Sequence, residues 1–308
     1  MWFTEIFIMK IICPSPLKLG DTIGLVTPSS PMQEGRLELG ITYLESKGFK
    51  VKAGHHVHDA DRFLAGKDCD RAKDIMDFFC DENVKAIMAT GGGYGAQRIL
   101  PFLDIDKIRA NPKWVTGFSD TTALQLGLLA RAGIASCTGF IFRDLDGQPL
   151  DALIEKTLMA CLFGEPYQIN EGTSVISGKA EGSLVGGNLG CLVALMGTPY
   201  QPNFEDCVLL IEEVWAEPYK IDSMLSQLEL AGVFGQITGL IWGQFERCDA
   251  HHFPDRDGTV DDIIDEWSKR VQVPCIKEFP YSHRDRRCVL PIGKNVLLDA
   301  DSCVLSVS

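Results

Sequence analysis

Three residue types that can together break an acyl bond stand far apart in this chain. Ser119 lies in Gly117-Phe-Ser-Asp120, Glu212 ends the run Cys207-Val-Leu-Leu-Ile-Glu, and His283 lies in Pro280-Tyr-Ser-His-Arg-Asp-Arg-Arg287. A hydroxyl, an imidazole and a carboxylate are the parts of nucleophilic acyl transfer: the attacking group, the base that takes its proton, and the acid that orients the base. Ser119 falls where Trp114-Val-Thr-Gly gives way to Thr122-Ala-Leu-Gln-Leu-Gly-Leu-Leu-Ala, which reads as a strand-to-helix turn. Such a turn lifts the hydroxyl off the sheet edge and aims unpaired helical N–H groups at the carbonyl under attack. The strict nucleophile elbow is Gly-x-Ser-x-Gly, and here its last position is Thr121. Each residue also has an ordinary structural reading: Ser119 and Asp120 as a helix N-cap pair, Glu212 as an ion-pair partner, His283 as a loop histidine. Their joint occurrence with a glycine turn, Gly91-Gly-Gly-Tyr-Gly95, raises the catalytic reading above these.

The elements that must position these residues alternate. Residues 22–27 read as a strand closed by a Pro/Ser turn, 34–47 as an amphipathic helix stopped by Gly48, and 49–54 as a second strand. A helix is expected over 68–80, with Ile75, Phe78 and Phe79 inward and Arg71, Asp74 and Asp77 toward water. A third strand, 84–90, runs into the glycine turn, and a helix over 96–103 leads to the strand before Ser119. This alternation predicts a flavodoxin- or Rossmann-like parallel sheet over residues 1–165, with ligands beyond the carboxyl ends of its strands. The polar stretch 166–181 reads as a linker, and 182–308 as a mixed α/β C-terminal domain. That domain is expected to hold a strand at 207–212, helices at 219–230 and 259–271, the latter opened by a Thr259/Asp262 capping box, and short closing strands. The serine then comes from one domain and its partners from the other, so the site belongs in the cleft between them.

Composition narrows the partners. A formal net charge of −13 on 308 residues argues against nucleic acid or an anionic membrane surface. The eleven cysteines include no Cys-x-x-Cys pair, and several sit in apolar runs, which predicts reduced thiols and a cytoplasmic protein. The opening MWFTEIFIMKIICPSPLK has no basic residues ahead of its apolar ones, carries Glu5 and Lys10 and is too short to span a bilayer, so no targeting segment is expected; Met9 is as good a start as Met1. Three rival sites fare worse than the triad. Gly91-x-Gly93-x-x-Ala96 follows a third strand, not the first strand of a dinucleotide fold. His55-His-Val-His58 has no neighbouring cysteine or carboxylate cluster, and a calcium loop ending its sixth position at Gly258 would begin on Phe253 and end on Ile264, neither of which can ligate. Neither a metal nor a cofactor is expected.

The whole chain from about Gly20 resembles the LD-carboxypeptidase family, serine peptidases that remove the terminal D-alanine of murein tetrapeptides and that include microcin C self-immunity peptidases. The matching segments are Pro28-Ser-Ser, Gly92-Gly-Tyr-Gly95, Gly117-Phe-Ser-Asp120, Gly186-Gly-Asn-Leu189, Leu210 to Asp222, Phe279 to His283 and Leu290-Pro-Ile-Gly293. The resemblance implies Ser119 as nucleophile, His283 as base, Glu212 as its orienting acid, and oxyanion donors at Gly92 and Asp120. It implies substrate contacts at Gly93, Arg98, Asn188, Glu217 and Lys220, a murein or other small peptide substrate, peptidoglycan recycling in the cytoplasm, and a homodimer. Relatives carry arginine where this chain has Gly91, Lys220 and Ser223, and Gly-Pro at Gly139-Phe140, which touches substrate contacts and leaves the triad intact. A microcin-type peptidase acting on aminoacyl-nucleotide peptides is the nearest alternative, and a non-catalytic peptide-binding module the alternative of another class.

Overall fold

A computed structural model of the chain describes residues 10–145 and 147–308. Met1 to Met9 lie outside the described residues, and with them the choice of starting methionine. In chain order the first half contains β1 (Thr22–Val26), α1 (Arg36–Ser46), β2 (Lys50–Ala53), α2 (Asp68–Cys80), β3 (Val84–Ala89), α3 (Ala96–Ile99), α4 (Ile105–Ala110), β4 (Trp114–Gly117), α5 (Thr121–Ala132), β5 (Ser136–Thr138) and α6 (Ala152–Phe163). The second half contains β6 (Tyr167–Ile169), β7 (Thr173–Ile176), β8 (Lys179–Asn188), α7 (Leu189–Leu195), β9 (Cys207–Glu212), α8 (Pro218–Leu230), β10 (Gly239–Trp242), α9 (Val260–Val271), β11 (Cys275–Lys277), β12 (Leu290–Ile292), β13 (Asn295–Asp299) and β14 (Val304–Val307).

The first sheet has the order β12-β5-β4-β3-β1-β2, and its five N-terminal strands are parallel. β3 and β4 are apolar almost throughout because a parallel sheet is covered by helices on both faces. The chain runs from β1 outward to β2 and then returns to place β3 on the other side of β1, so strand order reverses between β1 and β3. A crevice opens at such a reversal, outside the carboxyl ends of the strands. The turns after β1, β3 and β4 all emerge there. In α2, Ile75, Phe78 and Phe79 are buried as their spacing requires, but Arg71 and Asp74 are also buried, contrary to the expectation that they face water. Loops that fold over the helix meet them: Arg71 donates to the carbonyls of Pro28 and Gly95 and pairs with Asp68, and Asp74 accepts from the amides of His55 and His56. A helical pattern cannot distinguish a polar residue facing water from one facing a loop that folds over it.

The second sheet, ordered β6-β14-β13-β8-β9-β10-β11-β7, is mixed, with a parallel centre flanked by antiparallel strands. The stretch expected to be a linker, 166–181, is no linker. It supplies both edge strands of this sheet, β6 and β7, and the start of β8. Edge strands are half-solvated, so their composition is polar and Gly-rich like a loop's. Nor does the chain divide cleanly at 182, because β12 leaves the second half to pair antiparallel with β5 in the first sheet. Helix α9 begins at the expected capping box, Thr259 and Asp262 exchanging hydrogen bonds. Among the described residues all eleven cysteines are free, and no helix is long and apolar enough to cross a membrane.

Candidate active site

Ser119 takes a left-handed backbone, φ 63°, in the middle of the three-residue step between β4 and α5. A side chain costs energy in this region, and holding one there is how a strand-to-helix turn presents a hydroxyl. The hydroxyl oxygen lies 2.8 Å from His283 Nε2, and His283 Nδ1 lies 2.8 Å from Glu212 Oε2. A carboxylate oxygen accepts, so the ring proton is assigned to Nδ1, which leaves the Nε2 lone pair facing the serine. Glu212 is fully buried at the end of β9, and His283 stands in the loop between β11 and β12. Phe118, the residue before the serine, sets its ring 4.6 Å from the imidazole centroid, tilted by 48°. Arg287 lies over the same ring and donates to the carbonyls of Gly139 and Arg284, which pins the histidine loop to the first sheet.

Gly92 packs against the nucleophile. A Cβ placed there would stand 2.9 Å from Ser119 Cβ and 3.1 Å from the Phe118 carbonyl oxygen, so only glycine lets the turn after β3 approach this closely. Among the described residues the amides of Gly92 and Asp120 have no protein acceptor, which leaves two donors beside the serine. The Asp120 side chain does not cap its own helix. Its Oδ2 accepts from Ser29 Oγ at 2.6 Å and from the Ala96 amide at 2.8 Å, which ties the turns after β1 and β3 to the serine turn. These turns enclose a cavity of about 250 Å³, lined by residues 30–33, 90–93 and Ser119, and closed by Arg36, Ile141, Arg143 and His283. Gly93 lies in this wall.

Beneath Glu212 is a second buried acid. Asn188, the N-cap of α7, donates its amide to Glu212 Oε1 at 3.2 Å and to Glu213 Oε1 at 2.9 Å, and its own oxygen caps the Cys191 amide. Glu213 also accepts from the amides of Gly190 and Val214, while burial raises its carboxyl above the ordinary carboxylate range. Asn188 was expected to touch substrate. Here its amide bridges the two buried carboxylates at the acid end of the triad. Replacing it with alanine removes a hydrogen bond to a charged group, about 1.5–3 kcal/mol. Turnover of Asn188→Ala should therefore fall roughly ten- to a hundredfold with the fold intact by circular dichroism; an unchanged kcat would remove Asn188 from the positioning of Glu212.

The sequence matches the family model described as the LD-carboxypeptidase N-terminal domain over residues 23–139 and that described as the LD-carboxypeptidase C-terminal domain over 181–298. The chain belongs to the LD-carboxypeptidase family. The probable murein peptide carboxypeptidase of Bacillus subtilis is 31% identical over 93% of this chain and 91% of its own. The microcin C7 self-immunity protein MccF of Escherichia coli is 28% identical over 96% of this chain and 95% of its own. A solved apo structure of MccF superposes with a TM-score of 0.88 at 27% identity, covering 96% of this chain and 98% of that one, and MccF has also been solved with aspartyl sulfamoyl adenosine. The muramoyltetrapeptide carboxypeptidase of Oxalobacter formigenes superposes with a TM-score of 0.85 at 25% identity over 92% and 97% of the two chains. This LD-carboxypeptidase is thus a serine-type hydrolase of the α/β class, and the non-catalytic reading is set aside.

Three residues of the LD-carboxypeptidase expected to contact substrate are outside the lining of this cavity. Arg98 is bound through Nε and one terminal nitrogen to Asp68, at 3.1 and 2.8 Å, and does not line the cavity. Lys220 is exposed on α8 with its ammonium 5.7 Å from the Tyr219 ring centroid. Glu217 accepts from the amides of His251 and His252 and from His252 Nδ1, fastening the 249–252 loop to the start of α8. Those bonds, the His251 amide first, pull its carboxyl down to about 2. A depressed acid stabilises the fold above its unfolded value, and that contribution is lost as pH falls from the ordinary carboxylate pKa toward the folded one. Urea unfolding of wild type and Glu217→Gln should therefore differ by a constant amount above about pH 5 and converge as pH drops through 4 toward 2. A difference independent of pH would remove the carboxylate from that role. At His55-His-Val-His58 the fold adds what local sequence lacked: His56, Asp59 and Asp70 bring ligand atoms within 4.8 Å of one another, Asp59 exposed and the other two half-buried. Arg143, in the short 3-10 turn Phe142–Asp144 after β5, had no sequence signal at all.

Proposed function

We propose that this enzyme removes the terminal D-alanine from murein tetrapeptide in the cytoplasm, as a step of peptidoglycan recycling, through Ser119, His283 and Glu212. The observation that carries this is the unbroken pair of 2.8 Å contacts from a buried Glu212 through His283 to a serine held in a left-handed turn. In this reading His283 takes the hydroxyl proton as Ser119 Oγ attacks the scissile carbonyl, and the Gly92 and Asp120 amides hold the oxyanion. Glu212 stabilises the imidazolium. His283 then gives its proton to the departing D-alanine nitrogen, and water, deprotonated by the same ring, releases the acyl-enzyme. The homodimer expected from the family goes with this reading and is tested by light scattering.

A second substrate class has support of its own, because MccF superposes as well as the muramoyltetrapeptide carboxypeptidase does. The deciding experiment is incubation of purified enzyme with murein tetrapeptide and, separately, with a peptidyl aminoacyl-nucleotide, with products read by mass spectrometry. Release of one D-alanine from the first supports recycling. Cleavage of the second alone overturns it in favour of the immunity-type activity.

A further inference from the structure

The cavity beside Ser119 reverses the sign of the molecule around it. The chain has 42 acidic and 29 basic residues, yet the cavity wall contains Arg36 and Arg143 and neither aspartate nor glutamate. Both guanidiniums are held by carbonyl oxygens: Arg36 donates to the carbonyls of Arg143 and Leu145, and Arg143 to the carbonyl of His283 at 3.1 Å. Neither has a carboxylate partner among the described residues. The carboxylate next in sequence, Asp144, is occupied by Arg287 and the Ile141 amide. Two guanidiniums in one concavity, with no carboxylate partner among the described residues, are a site for an anion, and a planar fork favours a carboxylate.

We propose that Arg143, with its turn held in place by Arg36, grips the free terminal carboxylate of the residue cleaved from the peptide. The inference rests on the catalytic reading of Ser119 and His283, and two features give it direction. In acyl transfer the histidine protonates the leaving nitrogen, so the leaving residue lies on the histidine side of the serine. Arg143 is bonded to the backbone of His283 itself and shares a wall with it. The carboxylate of an amino acid is one carbon removed from that nitrogen, so a group beside the histidine is within its reach. The space, about 250 Å³, is below the roughly 300–1,000 Å³ of pockets for drug-sized ligands and suits a small residue.

The test reads binding without catalysis. D-alanine and D-alaninamide, which differ in the terminal carboxylate, are titrated into wild type, Arg143→Gln and Arg36→Gln and followed by NMR shifts, with folding checked by circular dichroism. Wild type is expected to prefer the acid by about ten- to a hundredfold, the worth of a charge-assisted hydrogen bond, and Arg143→Gln to lose that preference. Arg36→Gln should lose part of it. Equal binding of acid and amide by wild type, binding of neither, or an unchanged preference in Arg143→Gln overturns the proposal. An arginine that only anchors the His283 loop would weaken both ligands alike, which also overturns it. Peptide hydrolysis is assayed separately, so absence of D-alanine release would sink the recycling activity while leaving the binding comparison to stand on its own.

Discussion

Ser119→Ala is expected to lower peptide turnover by about 10⁴-fold or more, because removing one member of a triad disables the whole unit and leaves only the oxyanion donors and substrate binding. His283 and Glu212 should keep their contact in this variant, since both are held from outside the serine: Glu212 by Asn188, and the histidine by Phe118 and the Arg287-pinned loop. Substrate affinity should change little, so the loss belongs in kcat. Stability offers an independent readout. Alanine retains a Cβ and therefore the cost of φ 63° at this position. Glycine does not, so Ser119→Gly should be as inactive as alanine and more stable by about 1 kcal/mol. Turnover within tenfold of wild type in Ser119→Ala would remove the serine from the mechanism. Equal melting temperatures for the alanine and glycine variants would remove the strain.

The largest effect on folding is expected at Gly186, where alanine should cost more than about 4 kcal/mol and yield little soluble protein. β8 and β9 run parallel with Gly186 opposite Leu210, and Gly186 has φ 131°, a conformation open to glycine and strained for any other residue. A Cβ there would stand 1.9 Å from the Leu210 carbonyl oxygen and 2.8 Å from its carbon. The obstacle is backbone at the centre of the second sheet, so no side-chain rotation relieves it. Opening the pair would displace Asn188 and Glu212, which face each other two rungs further along the same register. Denaturant midpoints measure the effect. A Gly186→Ala protein with a midpoint like that of wild type would remove the close approach of Gly186 to Leu210 from the stability of the second sheet. Gly92→Ala makes a useful contrast, because its clash is with the nucleophile and should cost activity before stability.

The sequence by itself determined the elements whose signals are local. The strand-turn-helix around Ser119, the α2 helix over 68–80, the capping box at Thr259 and the glycine turns at the sheet's carboxyl edge all follow from spacing and from backbone preferences that act over a few residues. Motif resemblance then marked Glu212 and His283; His283 lies 164 residues from Ser119 and 71 from Glu212, and no local pattern could have joined the three. Tertiary structure alone decided the rest. The edge strands at 167–176 look like linker because half of each strand faces water, and β12 crosses to the first sheet because its partner β5 is 152 residues or more away in the chain, beyond any local signal. Arg98 and Arg143 have the same side chain and the same local polarity. One meets Asp68 and is neutralised at the surface, while the other, whose carbonyl accepts from Arg36, lines the cavity beside the serine, and only the packing of distant turns separates the two outcomes.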